Sequence, residues 1–198
     1  MSGLILASTS QSRRTMLSAA GVAFSAEAPG VDEDAVKDSL KGEKATPAAI
    51  AETLAELKAR KISLRHPDAF VIGADQVLDC DGAMFDKPPD LAAARRQLQS
   101  LRGKTHRLTA AVVVARGDAR LWHHTQVATL QMRPFTDAFL DGYLAQVGEA
   151  ACRSVGAYQL EGLGAQLFSR IEGDYFTILG LPLLPLLDFL RGHRLVEA

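Results

Sequence analysis

Only two cysteines occur among the 198 residues, Cys80 and Cys152, far apart and in no CxxC spacing. A disulfide framework is therefore not expected, and two free thiols suit a reducing, cytoplasmic setting. Basic excess is missing too: 22 Lys and Arg stand against 23 Asp and Glu, for a net charge of −1. That removes the support for a polymeric nucleic-acid partner, although local Arg and Lys clusters can still hold a small anion. Long apolar runs are absent. Ile178 to Leu190 is broken by Gly180, Pro182, Pro185 and Asp188 and falls short of the ~20 residues that cross a bilayer. Met1 to Ala7 is apolar but runs straight into Ser-Thr-Ser-Gln-Ser-Arg-Arg, which reads as a strand and loop rather than a secretory signal. The expectation is a soluble protein with no membrane partner. GxSxG, Walker A and GxGxxG patterns are all missing, as are repeats and low-complexity segments.

What is present is an ordinary globular composition, 47% hydrophobic and 23% charged, in a length that suits one domain spanning residues 1–198. Leu4 to Ala7 reads as a buried strand feeding a loop. Ser10 is placed to cap a helix that carries Met16, Leu17 and Ala20 and stops at Gly21. Phe24 to Ala28 suggests a second strand, and Val31 to Asp34 an acidic loop. Thr46-Pro47 opens the clearest helix, with Ile50, Leu54, Leu57 and Ile62 at helical spacing. His66-Pro67-Asp68 ends it.

Ala69 to Ile72 is an apolar strand that Gly73-Ala74-Asp75-Gln76 follows. Val77 to Phe85 reads as a hairpin around Asp81-Gly82. Pro88-Pro89-Asp90 caps a helix to Leu101. Thr105 to Ala115 and Arg120 to Met132 are two strands joined at Gly117-Asp118. Thr136 starts a helix, a glycine-rich stretch runs from Gly156 to Gly164, Ala165 to Ile171 reads as a strand, and a last helix lies behind Pro182. The sum is an α/β fold with a mixed sheet, arranged as two lobes about a cleft.

Several residues in this frame can carry chemistry. Ser8 to Arg14 sits where a strand meets a helix N-terminus, where backbone N–H groups, Arg13 and Arg14 favour an anion. An ordinary N-cap with solvated arginines explains the same residues. Asp75, just past an apolar strand, can hold a metal or take a proton from water, or can simply form a turn. Glu33 could join it in offering the oxygen ligands Mg²⁺ prefers, or belong to a solvated charge run. Lys58 and Lys87 are ordinary surface lysines unless a phosphate draws them in, and Lys87-Pro88 is held close behind the hairpin. His106 and the His123-His124 pair read as packing or edge residues, since no CxxC or HExxH accompanies them. Glycines 156, 162 and 164 flank Tyr158 and Glu161, as a close approach to a ligand or a flexible turn. Together these features fit phosphoanhydride chemistry better than acyl transfer. A phosphatase removing single phosphates and a nucleotide-binding regulator of cell division without turnover are the competing readings.

The order of short blocks is more specific than any one of them. Leu-Ile-Leu-Ala-Ser-Thr-Ser-x-x-Arg-Arg at 4–14, Val-Asp-Glu at 31–33, Glu-Leu-Lys-Ala at 56–59 and Gly-Ala-Asp-Gln at 73–76 open the series. Lys-Pro at 87–88, Gly-Lys-Thr-His at 103–106, Glu-Gly-Leu-Gly at 161–164 and Gly-Asp-Tyr-Phe-Thr-Ile-Leu-Gly-Leu-Pro at 173–182 complete it. This set resembles the Maf family of nucleoside triphosphate pyrophosphatases over nearly the whole chain. The resemblance implies an elongated mixed-sheet Maf/ITPase-like fold with a central cleft between two lobes. It also implies release of a monophosphate and diphosphate from a modified or pyrimidine triphosphate, a divalent cation (Mg²⁺ or Mn²⁺), and by analogy a homodimer. By the same resemblance Asp75 is the proton acceptor and a metal ligand with Glu33. Ser8, Ser10, Arg13, Arg14, Lys58 and Lys87 bind the triphosphate, and Ser12, Gln76 and Glu161 set base choice. Members acting on dTTP and UTP usually carry Arg, Thr and Gln at these last three positions. Gln76 and Glu161 look instead like the 7-methyl-GTP subgroup, from which Ser12 departs, a Trp being common there. Arg107-Leu108-Thr109-Ala110 also departs from the family's usual Tyr-Thr-Gly run.

Overall fold

A computed structural model describes residues 3–197. Among them a seven-stranded mixed sheet runs in the order β2-β1-β3-β5-β6-β7, with β4 paired to β3. The chain contacts group into two compact units. The first takes in the chain up to Gln76, Ala110–Gln126 and the chain from Tyr175, and the second takes in Val77–Thr109 and Val127–Asp174.

In the first unit β1 (Leu4–Ala7) is buried at every residue, because it pairs in parallel with both neighbours. Ile5 lies opposite Ser25 of β2 (Ser25–Glu27), and Leu4 to Ala7 lie opposite Phe70 to Gly73 of β3 (Phe70–Cys80). A strand covered on both faces reads as a continuous apolar run, which is how 4–7 and 69–72 appear in sequence. Alternation still sorts the faces. Leu4, Leu6, Phe70, Ile72, Val112 and Val114 pack with Met16, Leu17, Leu186 and Leu190, whereas Ile5, Ala7 and Val71 pack with Ile62 on the other side.

Local signals set the helix ends. Helix α1 (Gln11–Ala19) is capped by the Ser10 side chain, and α3 (Pro47–Ser63) by Thr46 with proline in its first turn. Val31–Asp34, expected as a loop, instead starts α2 (Glu33–Gly42). Asp32 caps it through Ala35 N–H, and Glu33 and Asp34 complement the positive end of the helix. No residue of α2 is buried, so apolar periodicity could not announce it. A second correction matters more for function. Asp75 does not follow a strand; β3 runs unbroken from Phe70 to Cys80. Pairing with β1 ends at Gly73, so Asp75 lies two residues beyond the reach of that neighbour.

In the second unit β3 turns into β4 (Ala83–Phe85) through Asp81 and Gly82, both at positive φ, the Asp-Gly hairpin the sequence predicts. Asp90 caps α4 (Leu91–Leu101) and Thr136 caps α5 (Asp137–Val147). Helix α4 packs on α5 and on tight 3₁₀ turns at Gly148–Arg153 and Val155–Ala157. Strands β5 (Thr105–Arg116) and β6 (Ala119–Met132) meet at Gly117-Asp118 as expected. The strand expected over 165–171 is shorter. Leu163–Leu167 forms a 3₁₀ turn, and β7 (Phe168–Glu172) then pairs antiparallel with β6. The chain closes with α6 (Tyr175–Ile178) and α7 (Leu183–Gly192) behind Pro182, in the first unit.

Candidate active site

A missing side chain makes the site. A Cβ built on Gly73 would overlap the Ala55 carbonyl oxygen and lie 2.7 Å from the Ala59 nitrogen and 2.9 Å from the Ala59 Cβ. Helix α3 therefore rests its backbone on β3, through the small residues Ala55 and Ala59. That close approach carries Lys58 inward. Its spacing from Ile50, Leu54 and Ile62 puts it on the buried stripe, and Lys58 is 4% exposed while Leu57 is 39% exposed. The apolar stripe expected through Leu57 runs through Lys58 instead.

The ammonium of Lys58 meets two carboxylates. Its Nζ lies 2.6 Å from Asp75 Oδ1 and 2.8 Å from Glu33 Oε1. Asp75 is itself 4% exposed, and its second oxygen, Oδ2, is buried without a hydrogen-bond partner. An orphaned carboxylate oxygen in a dry setting is costly unless something takes up its lone pairs. The helix start at Asp32 is what delivers Glu33 to this point.

Arg13, on the inner face of α1, is also buried. Its Nε donates to Gly180 O and its Nη1 to Ala74 O, both at 2.8 Å, with Ser8 Oγ 3.5 Å from Nη1. Burial lowers its pKa from the ordinary arginine value, and the charges of Asp75 and Glu33 oppose that shift. Gln76 Nε2 donates to Thr177 O at 2.9 Å and to Ile178 O at 3.1 Å. The backbone around Asp75 is thus tied to residues 177–180 by one guanidinium and one amide. Around the strand end, Ser10 N donates to Ser8 Oγ at 3.1 Å and Arg14 Nη2 to Ser8 O at 3.2 Å. Ser12 is half-buried in the first turn of α1.

Ser8, Ser10, Arg13, Arg14, Glu33, Lys58, Asp75 and Gln76 are therefore linked within the first unit. Lys87 and Glu161 are exposed residues of the second unit. The carbonyls of 177–180 and the glycine at 73 carry parts of the site that the sequence motifs contained without showing their role. His106 packs, as expected, within the second unit. It is 1% exposed, 2.7 Å from the Tyr158 hydroxyl, and burial pushes its pKa down to about 4. His123 lies 3.7 Å from Glu52 and His124 stacks on Trp122.

Among the described residues no group of three or more His, Cys, Asp and Glu is arranged to hold a metal ion. Two carboxylates, one with an unpartnered buried oxygen, do suit a cation that takes one or two protein oxygens and completes its shell from phosphates and water. No helix among the described residues is long and apolar enough to cross a membrane.

Comparison with known proteins identifies a family and close relatives. A family model described as Maf-like protein matches residues 3–193. A protein of Paramagnetospirillum magneticum named nucleoside triphosphate pyrophosphatase is 62% identical over 189 residues, 96% of this chain and 97% of that one. Its namesake from Granulibacter bethesdensis is 56% identical over 96% of this chain and 97% of its own length. A Rhizobium meliloti protein named 7-methyl-GTP pyrophosphatase is 50% identical over 98% of both chains.

Proposed function

The chain belongs to the Maf-like protein family, and from that premise we propose that it is a nucleoside triphosphate pyrophosphatase. It hydrolyses the bond between the α- and β-phosphates of a free nucleotide in the cytoplasm, giving a monophosphate and diphosphate, with residues 1–198 acting as one domain. The observation that carries this reading is the buried Asp75 carboxylate, with Oδ1 anchored by Lys58 and Oδ2 left as an acceptor.

In this reading water attacks the α-phosphorus, Asp75 accepts its proton through Oδ2, and diphosphate leaves. Glu33 and Asp75 would hold a divalent cation, Mg²⁺ or Mn²⁺. When bound, that ion supplies neutralisation of charge on the phosphate oxygens. Ser8, Ser10 and Arg14 surround the end of β1 and the start of α1, where N–H groups and a helix N-terminus favour a phosphate. Arg13 and Lys58 add positive charge behind them. The assignment of Lys87 to phosphate and Glu161 to the base follows from the family motif alone. Gln76 has both amide hydrogens committed to Thr177 O and Ile178 O, so its Oε1 is the atom left for a substrate.

For the base, 7-methyl-GTP stands first. Three relatives carry that name at 49–50% identity, and Gln76 and Glu161 match that subgroup. Ser12 in place of Trp removes an aromatic face and favours a wider substrate range, which keeps dTTP and UTP as the second reading. Incubation of pure protein with Mg²⁺ or Mn²⁺ and 7-methyl-GTP, dTTP, UTP, CTP and the standard purine triphosphates should release diphosphate. Release of orthophosphate alone would point to a phosphatase, and binding without turnover to a regulator. Light scattering tests the homodimer expected for the family.

A further inference from the structure

Both carboxylates of the candidate cation site are already engaged by an internal cation. Lys58 Nζ lies 2.6 Å from Asp75 and 2.8 Å from Glu33, and the Lys58 and Asp75 side chains are each 6% exposed. In such a setting the attraction between an ammonium and two carboxylates is strong, and so is the repulsion between that ammonium and an incoming divalent ion. We infer that Lys58 is a resident counter-ion that keeps Glu33 and Asp75 closed to a divalent cation until a triphosphate arrives. This rests on the pyrophosphatase reading above.

The physical basis is a competition between two cations for the same pair of carboxylates. Without nucleotide, Lys58 neutralises the pair and lowers its affinity for metal. A triphosphate brings several negative charges and offers the ammonium other oxygens, so the carboxylates become available to the cation. Metal and nucleotide then bind with positive coupling, which must be reciprocal. A lysine that serves only as a phosphate ligand would leave metal affinity in the nucleotide-free protein unchanged when removed.

The test is Mn²⁺ binding to nucleotide-free protein, followed by electron paramagnetic resonance and calorimetry. Lys58→Gln should bind Mn²⁺ at least tenfold more tightly than the wild type, while its turnover falls. Lys58→Arg, which keeps the charge, should stay within about threefold of the wild type. Adding Asp75→Asn to Lys58→Gln should erase the gain. Equal or weaker Mn²⁺ binding by a folded Lys58→Gln overturns the inference. Should that variant not fold, the Lys58 Nζ resonance of ¹⁵N-lysine-labelled wild type decides the matter. It should stay put as Mg²⁺ alone is added to the nucleotide-free protein and move once a non-hydrolysable triphosphate is added with the Mg²⁺, and a resonance that moves with Mg²⁺ alone refutes the counter-ion role. Diphosphate release by the wild type is assayed separately. Its absence sinks the pyrophosphatase reading, whereas a flat Mn²⁺ result with diphosphate released sinks only the role given to Lys58.

Discussion

Gly73→Ala tests whether the site depends on helix-to-strand contact rather than on the motif residues alone. Its added methyl would overlap the Ala55 carbonyl and crowd the Ala59 backbone, and neither can rotate away as a flexible side chain could. Overpacking of a tight core costs about 1–3 kcal/mol, and a backbone obstacle puts this case near 3 kcal/mol. For a chain of this size that is a fall in Tm of roughly 6–12 °C. Any relief comes from α3 lifting off β3, which separates Lys58 from Asp75, and a displacement near 1 Å can lower turnover about 100-fold. Thermal denaturation and diphosphate release should therefore fall together. Gly142→Ala is the control. That glycine lies inside α5, where an added methyl would meet nothing within 4 Å, so alanine there should stabilise by about 0.5–1 kcal/mol. A Gly73→Ala protein with unchanged Tm and turnover would refute the packing account of the site.

Three other outcomes follow from the contacts. Asp75→Asn should lower kcat by about 10²–10⁴-fold with the far-ultraviolet circular dichroism unchanged; a folded variant with wild-type turnover removes Asp75 from proton transfer. Arg13→Lys keeps the charge but cannot reach Gly180 O and Ala74 O with a planar fork, so denaturant titration should show a loss of about 2 kcal/mol. For His106 the folded pKa of about 4 lies below the ordinary 6.5, so the unfolded chain binds the extra proton first. Its contribution is full above pH 6.5 and is lost as pH falls toward 4, about 3 kcal/mol in all. In urea titrations the wild type should lose about 3 kcal/mol more than His106→Gln between pH 7 and pH 4, and equal losses would exclude His106 as the source.

Local chemistry was the readable part of the fold. Ser10, Thr46, Asp90 and Thr136 each precede a helix, and each side chain accepts a hydrogen bond from the third residue on. Such caps need only a few neighbouring residues. What escaped depends on distant partners. Gly73 and Asp75 look like turn punctuation, yet β3 continues through them, with β5 still its neighbour in the sheet where β1 has ended, and pairing outweighs propensity. Helix α2 has a legible cap in Asp32 but no buried face. The 3₁₀ turn at Val155–Ala157 holds Gly156 at φ 79°, where a Cβ would strike Leu78 and the Tyr158 ring. Sequence shows a glycine there, but only the packed neighbours show why.

The site shows the same division between residue type and placement. Asp75, Glu33 and Lys58 were identifiable as chemically apt. The i, i+4 series Ile50, Leu54, Lys58, Ile62 held the further clue that the lysine faces inward. Nothing local ties Arg13 to Gly180, 167 residues away, so its motif suggests phosphate while its Nε and Nη1 serve backbone carbonyls. Those bonds give the 173–182 block a purpose. Gly180 at φ 95° turns its carbonyl toward Arg13, Ala74 accepts from the same guanidinium, and Gln76 grips Thr177 and Ile178. The strand that bears Asp75 and the turn before Pro182 are thereby fixed to each other on both sides of the carboxylate. The role proposed for Asp75 as proton acceptor demands such support, because a loosely held carboxylate would lose alignment faster than it would lose charge.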